Sequence, residues 1–148
     1  MDRAADEHQG GCLCGAVRFT ARGALRGVVY CHCTQCRRQS GHHYAATSVP
    51  DDRLTVSGAE NLTWFASSDD ARRGFCRHCG SALFWKHNAL DVTSIGAGNF
   101  DLPSGLTASH HIFTAAKGDY YDITDGLPQY EASSPDIVVA GDGPEKRG

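Results

Sequence analysis

Seven cysteines fall in three tight groups along a chain of 148 residues: Cys12 and Cys14 as CxC, Cys31, Cys33 and Cys36 as CxCxxC, and Cys76 and Cys79 as CxxC. Such close neighbours suit a shared metal ion far better than a bridge to each other, because thiolates are strong ligands and a disulfide demands its own geometry. The odd number, and a polar stretch from Met1 to Gly10 with no apolar run for an export signal, argue against a disulfide framework. Zinc prefers four ligands in a tetrahedron, so seven thiolates divide as four plus three. Two pairs from distant parts of the chain make a closed cage, which groups Cys12, Cys14, Cys76 and Cys79 around a structural ion. Gly80 supports this, since a glycine behind a CxxC turn can take a positive φ and let backbone N–H groups reach the sulfurs. Cys31, Cys33 and Cys36 remain. They leave a vacant fourth position for water or substrate, as a catalytic zinc requires, or one of His32, His42 and His43 fills it and closes a second structural site.

Other side chains could assist. Arg37 and Arg38 follow the triplet, and Arg72, Arg73 and Arg77 surround the last pair. Arg37 is the candidate for binding a substrate carboxylate, whereas the others are read as offsetting thiolate charge or as solvated. His42 and His43 are candidate proton acceptors for a bound thiol or hydroxyl. Of His110 and His111, strand alternation aims only one inward, and Trp64, Trp85 and Phe113 read as core. Ser81 reads as an ordinary turn residue.

These groups need short, glycine-punctuated elements to hold them. Val17 and Phe19 alternate with Arg18 and Thr20 in a half-buried strand over Gly15 to Ala21, leaving directly from Cys14. Val28 to Tyr30 delivers Cys31, and Thr34 to Ser40 is short enough for one or two helical turns ended by Gly41. Tyr44 to Val49, Leu54 to Ser57 and Leu62 to Phe65 read as an antiparallel meander. Arg72 to Phe75 delivers Cys76, and Ala82 to Trp85, Leu90 to Ile95 and His110 to Phe113 are further strands. The expectation is a mainly β protein with one short helix and a single zinc-containing domain over residues 10–132. Residues 1–9 read as a tail and residues 133–148 as a flexible one.

The formal charge of −3 excludes some partners. Thiolate ligation would make the chain more acidic still, which is the wrong sign for neutralising phosphates, so no nucleic acid is expected. No run approaches the roughly 20 apolar residues of a membrane span. A cytoplasmic protein without membrane attachment is expected, its oligomeric state undetermined.

The strings GGCLCGAVRF (Gly10 to Phe19), YCHCTQCRRQSG (Tyr30 to Gly41) and FCRHCGSALFW (Phe75 to Trp85) resemble the glutathione-dependent formaldehyde-activating enzyme family, which also contains centromere protein V. The resemblance continues through IGAGNFD, HHIF and DGLPQYE. Where the family often has a tryptophan after HHIF, this chain has Tyr120 and Tyr121. Membership implies folded-over antiparallel sheets of the β-tent type and two Zn2+ per chain. It implies a structural ion on Cys12, Cys14, Cys76 and Cys79 and a catalytic one on Cys31, Cys33 and Cys36. The implied activity is that of a carbon–sulfur lyase, with a small-molecule thiol such as glutathione and an aldehyde such as formaldehyde as partners. The competing reading is a non-enzymatic binding or scaffold module with two structural zincs.

Overall fold

The computed structural model describes residues 6–135. Among the described residues, ten strands build two sheets, joined by one α-helix and several 3-10 turns. The smaller sheet has the order β1-β2-β5, formed by β1 (Glu7–Gly11), β2 (Arg18–Arg22) and β5 (Leu54–Ser57). The larger comprises β3 (Val28–Cys31), β4 (Tyr44–Pro50), β6 (Leu62–Ala66), β7 (Ala71–Cys76), β8 (Ala82–His87), β9 (Val92–Gly96) and β10 (Ala108–Ile112). Its order is β10-β3-β4-β9-β8-β7-β6. Every pairing is antiparallel except β10 with β3, which is parallel. β1 begins inside the segment read as an N-terminal tail. At the other end, residues 136–148 of the expected flexible tail lie outside the described residues.

The sheets meet over a core of Val17, Phe19, Ala21, Val49, Leu83, Phe84, Ile95 and Phe100. Phe19 sits edge-to-face against both Phe84 and Phe100, with centroids 5.8 and 5.1 Å away. Each such pair adds about 1 kcal/mol beyond the area it buries. Cys12 and Cys76 pack into this core, so the first cysteine group lies at the seam between the sheets.

The helix α1 (Thr34–Ser40) has the expected bounds, for two local reasons. Cys33 is its N-cap, accepting from the Cys36 N–H, and Gly41 ends it at φ 84°.

Three expectations fail for tertiary reasons. The meander of β4, β5 and β6 does not form: β5 pairs with β2, β4 lies between β3 and β9, and β6 pairs with β7. Consecutive strands with short turns are not obliged to pair when two sheets compete for them. Both His110 and His111 are buried, because residues 128–134 cover β10: the His111 N–H donates to the Pro128 carbonyl and His110 bonds the Ser134 hydroxyl. Trp64 is not core; it is 40% exposed, lying flat against Gly74 with the Arg72 guanidinium 4.9 Å from its ring centre.

Candidate metal centres and the cavity between the strands

The Sγ atoms of Cys12, Cys14, Cys76 and Cys79 lie within 4.8 Å of one another. Cys12 and Cys14 arrive on the turn between β1 and β2, Cys76 ends β7, and Cys79 lies on the turn before β8. The Cys12–Cys14 and Cys14–Cys76 sulfur separations are 3.7 and 3.8 Å. A tetrahedron with zinc–sulfur bonds of about 2.3 Å sets its sulfurs about 3.8 Å apart, so the donor set fits zinc; a disulfide would need about 2.05 Å. Gly15 and Gly80, each directly behind the second cysteine of its pair, take φ of 84° and 78°. These left-handed residues fold each turn back on itself, and the N–H groups of Val17 and His78 point at the sulfurs of Cys12 and Cys76, at 3.3 and 3.4 Å. Ser81 ties the two turns together: its hydroxyl accepts from the Leu13 N–H at 2.9 Å and lies 3.3 Å from the Cys79 sulfur. That hydroxyl holds the Cys79 thiol down to about 5. The turn residue therefore also serves the cluster.

The Sγ atoms of Cys31, Cys33 and Cys36 also lie within 4.8 Å of one another. Cys31 ends β3, Cys33 caps α1, and Cys36 occupies its first turn. Among the described residues no histidine nitrogen or carboxylate oxygen joins the three. The Cys31 and Cys36 thiols, donating toward Cys33, push that group down to about 2. Three clustered sulfurs, with no fourth ligand among the described residues, fit an open zinc site.

Arg73 serves this second group, although it lies three residues from Cys76. It is buried, its Nη1 and Nη2 lie 3.7 and 3.6 Å from the Cys36 sulfur, and Gln35 and Gln39 accept from the same guanidinium at 3.2 Å each. β7 thus carries a ligand of one cluster and the cation of the other, a link that proximity in sequence assigns wrongly.

All three cysteines line a cavity of about 560 Å³. Its floor is one face of the large sheet: Tyr44, Ala46, Ser48 and Pro50 from alternate positions of β4, Val92 and Ser94 from β9, and Trp85 from β8. Ser48 pairs with Ser94, Ser94 with Trp85, and Trp85 with Arg73, a row crossing four strands. Ile112 and Phe113 close one side, and Arg26 projects into the space. Trp85 therefore lines the cavity, whereas Phe113 packs with Cys33 and Cys36 in a second small core.

Arg37, His42 and His43 do not line this cavity. Arg37 is half-buried on α1, its Nε without a partner. His42 and His43 join a cluster of rings with His32, His111, Tyr120 and Tyr121, where His42 Nδ1 meets the Tyr120 hydroxyl at 2.5 Å. Within it runs a chain of hydrogen bonds. Asp125 Oδ2 meets His111 Nε2 at 2.8 Å, His111 Nδ1 meets His32 Nε2 at 2.8 Å, and His32 Nδ1 meets the Tyr121 hydroxyl at 2.5 Å. Burial holds the His32 imidazole down to about 4, so it is neutral at pH 7. The Leu127 N–H, followed by His111, holds the Asp125 carboxyl below its usual range. Because His32 is neutral, one of its ring nitrogens donates and the other accepts, so His111 and Tyr121 between them occupy both. His32 is thereby committed on both nitrogens and is no fourth ligand.

The sequence profile of the glutathione-dependent formaldehyde-activating enzymes matches residues 7–116. The chain belongs to that family. It is 32% identical over 117 residues to an uncharacterized lyase of Schizosaccharomyces pombe, covering 78% of this chain and 85% of that one. It is 36% identical over 87 residues to a Halomonas elongata protein provisionally named a glutathione-dependent formaldehyde-activating enzyme, covering 51% of this chain and 54% of the relative. A crystal structure of a Rhodobacter sphaeroides protein shares the fold at a TM-score of 0.52 and 22% identity, over 82% of this chain and 98% of the other. Sequence reasoning had Arg73 offsetting thiolate charge but beside the wrong cysteines, and it missed Arg26 and the cavity role of Trp85, for which the sequence offers only an arginine and an indole beside apolar residues.

Proposed function

We propose that this chain is a zinc-dependent carbon–sulfur lyase that makes or cleaves the adduct of a small aldehyde and a thiol, of the S-hydroxymethylglutathione kind. The observation that carries the reading is the opening of the Cys31, Cys33 and Cys36 sulfurs into a cavity large enough for a small organic molecule. Cys12, Cys14, Cys76 and Cys79 would hold a structural zinc and the triplet a catalytic one. Bound there, zinc would supply Lewis acidity toward the thiol sulfur or the carbonyl oxygen at neutral pH.

The chain's own residues divide the remaining work. Arg73, fixed by Gln35 and Gln39, offsets the charge of Cys36 and holds α1 against β7. The cavity walls of Val29, Ile112, Phe113 and Val92 exclude water from the reacting atoms. In the forward direction the sulfur bonds to the carbonyl carbon and the thiol proton ends on the new hydroxyl. In reverse the carbon–sulfur bond breaks, its electron pair stays on sulfur, and the hydroxyl proton is released. Asp125, His111, His32 and Tyr121 hold the loop between Cys31 and Cys33 in one orientation from behind the cavity.

Seven cysteines without a disulfide support a reducing, cytoplasmic setting, and no helix of the described residues is long and apolar enough to cross a membrane. The test is turnover by protein carrying two zincs per chain, with formaldehyde and glutathione or another cellular thiol. Acceleration of adduct formation and of its cleavage is expected. Full zinc occupancy without turnover would favour the scaffold reading.

A further inference from the structure

Arg26 stands just before β3, and its backbone N–H donates to the Ser48 carbonyl at 3.4 Å. The side chain turns into the cavity, where its Nη2 donates to the Ala46 carbonyl at 2.8 Å and its Nε to the Gly27 carbonyl at 3.3 Å. Among the described residues no carboxylate lies within ion-pair distance of the guanidinium. Burial lowers its pKa to about 10, so it keeps its charge at neutral pH. A cation drawn into an apolar cavity with only neutral carbonyl partners is costly unless an anion joins it. The indole Nε1 of Trp85, on the same cavity wall, is buried without an acceptor among the described residues. A cation without a counter-ion and an indole N–H without an acceptor, among the described residues, thus share one chamber with Cys31, Cys33 and Cys36.

Their spacing sets the ligand's shape. Ala46, which receives the Arg26 side chain, pairs with Val29, while Cys31 pairs with Tyr44, two residues further along. Two residues of strand are about 7 Å. We propose that Arg26 is the specificity residue of this cavity and binds the carboxylate of a thiol-derived ligand whose sulfur reaches the cysteine triplet about 7 Å away. Trp85 supplies a second donor, and the walls of Val29, Ala46, Pro50 and Val92 cover the ligand's uncharged middle. A planar guanidinium suits this task because it can keep the Ala46 carbonyl with one edge and offer another to a carboxylate. Asp91 lines the same cavity from an exposed position, so it disfavours a second negative charge there.

The proposal rests on the lyase reading for the chemistry at the sulfur end, but the carboxylate end can be tested alone. Hexanoate and 1-hexanol share a chain long enough to span the chamber, carry no sulfur, and differ in the one group that matters. Their binding to zinc-loaded protein is read by chemical-shift titration, with Trp85 indole as reporter. Hexanoate is expected to bind at least roughly tenfold tighter than hexanol. Arg26→Gln should remove that preference, and Arg26→Lys should keep part of it, which separates loss of charge from loss of fold. Equal binding of the two probes, or a preference that survives in a folded Arg26→Gln protein, would overturn the proposal. Turnover by a protein without the hexanoate preference would sink the carboxylate subsite and keep the lyase; the preference without turnover would do the reverse.

Discussion

Cys12, Cys14, Cys76 and Cys79 come from two turns whose nearest sulfurs belong to residues 62 positions apart, and they close the seam between the two sheets. Cys31, Cys33 and Cys36 come from the end of β3 and the start of α1, within six residues of one another, and they open into a cavity. The same ligand type, on the same kind of short spacing, thus does opposite work. On the proposed reading, four sulfurs joining distant strands would couple metal binding to folding, because the ion closes a long loop of chain. Three sulfurs preorganised by a helix cap and a buried arginine would leave a coordination position for chemistry.

That contrast can be broken by removing one sulfur from each cluster. Cys76→Ser is expected to destabilise the protein by about 3 kcal/mol or more and to lower its zinc content, both read from thermal melts and metal analysis. Cys33→Ser is expected to reduce turnover at least roughly 100-fold while melting within a few degrees of the parent, since serine also caps a helix. A Cys33→Ser protein that unfolds, beside an active and stable Cys76→Ser protein, would invert the assignment of the two clusters.

A weak chelator sharpens the same comparison without mutation. Two zincs per chain are expected, one lost early together with activity and one retained until the protein unfolds. Simultaneous loss of both would mean that the clusters are equivalent. Smaller is the effect expected of Arg73→Lys, which keeps the charge but loses the fork that grips Gln35, Gln39 and Cys36. A fall in turnover of roughly tenfold with unchanged structural zinc is expected. Loss of the structural ion instead would tie Arg73 to Cys76.

The smallest effect lies behind the triplet. The carboxyl of Asp125 is held below its usual range by the Leu127 N–H and by His111. Its contribution to stability is therefore complete above pH about 4 and is lost as the pH falls through the lowered value. Amide exchange at Tyr121 and Tyr130 should accelerate as the pH drops below about 4, and Asp125→Asn should abolish that step. An unchanged step in the variant would show that Asp125 does not anchor the hydrogen-bonded chain.

Much of this arrangement was legible in local pattern. The bounds of α1 followed from the short polar stretch Thr34 to Ser40 ended by Gly41. Leu54–Ser57 is the expected strand without adjustment, and Gly80 has the expected positive φ. The grouping of the seven sulfurs followed from coordination number, because a tetrahedral ion counts ligands whatever the fold. These features depend on neighbours within a few residues or on the chemistry of one atom type, and a sequence carries both directly.

Pairing between strands was not legible in the same way. Nothing near Leu54 says that β5 joins β2 and not β4, and nothing near Arg73 says that its partner is Cys36 and not Cys76. Nor does the run Leu25 to Gly27 reveal that Arg26 faces a chamber floored by strands about twenty to seventy residues away. The residue types and spacings determined that this chain has two groups of thiolates suited to zinc. Only the tertiary structure decided which group joins the two sheets and which faces a cavity, because contact and access depend on how distant strands compete for one another's edges and faces.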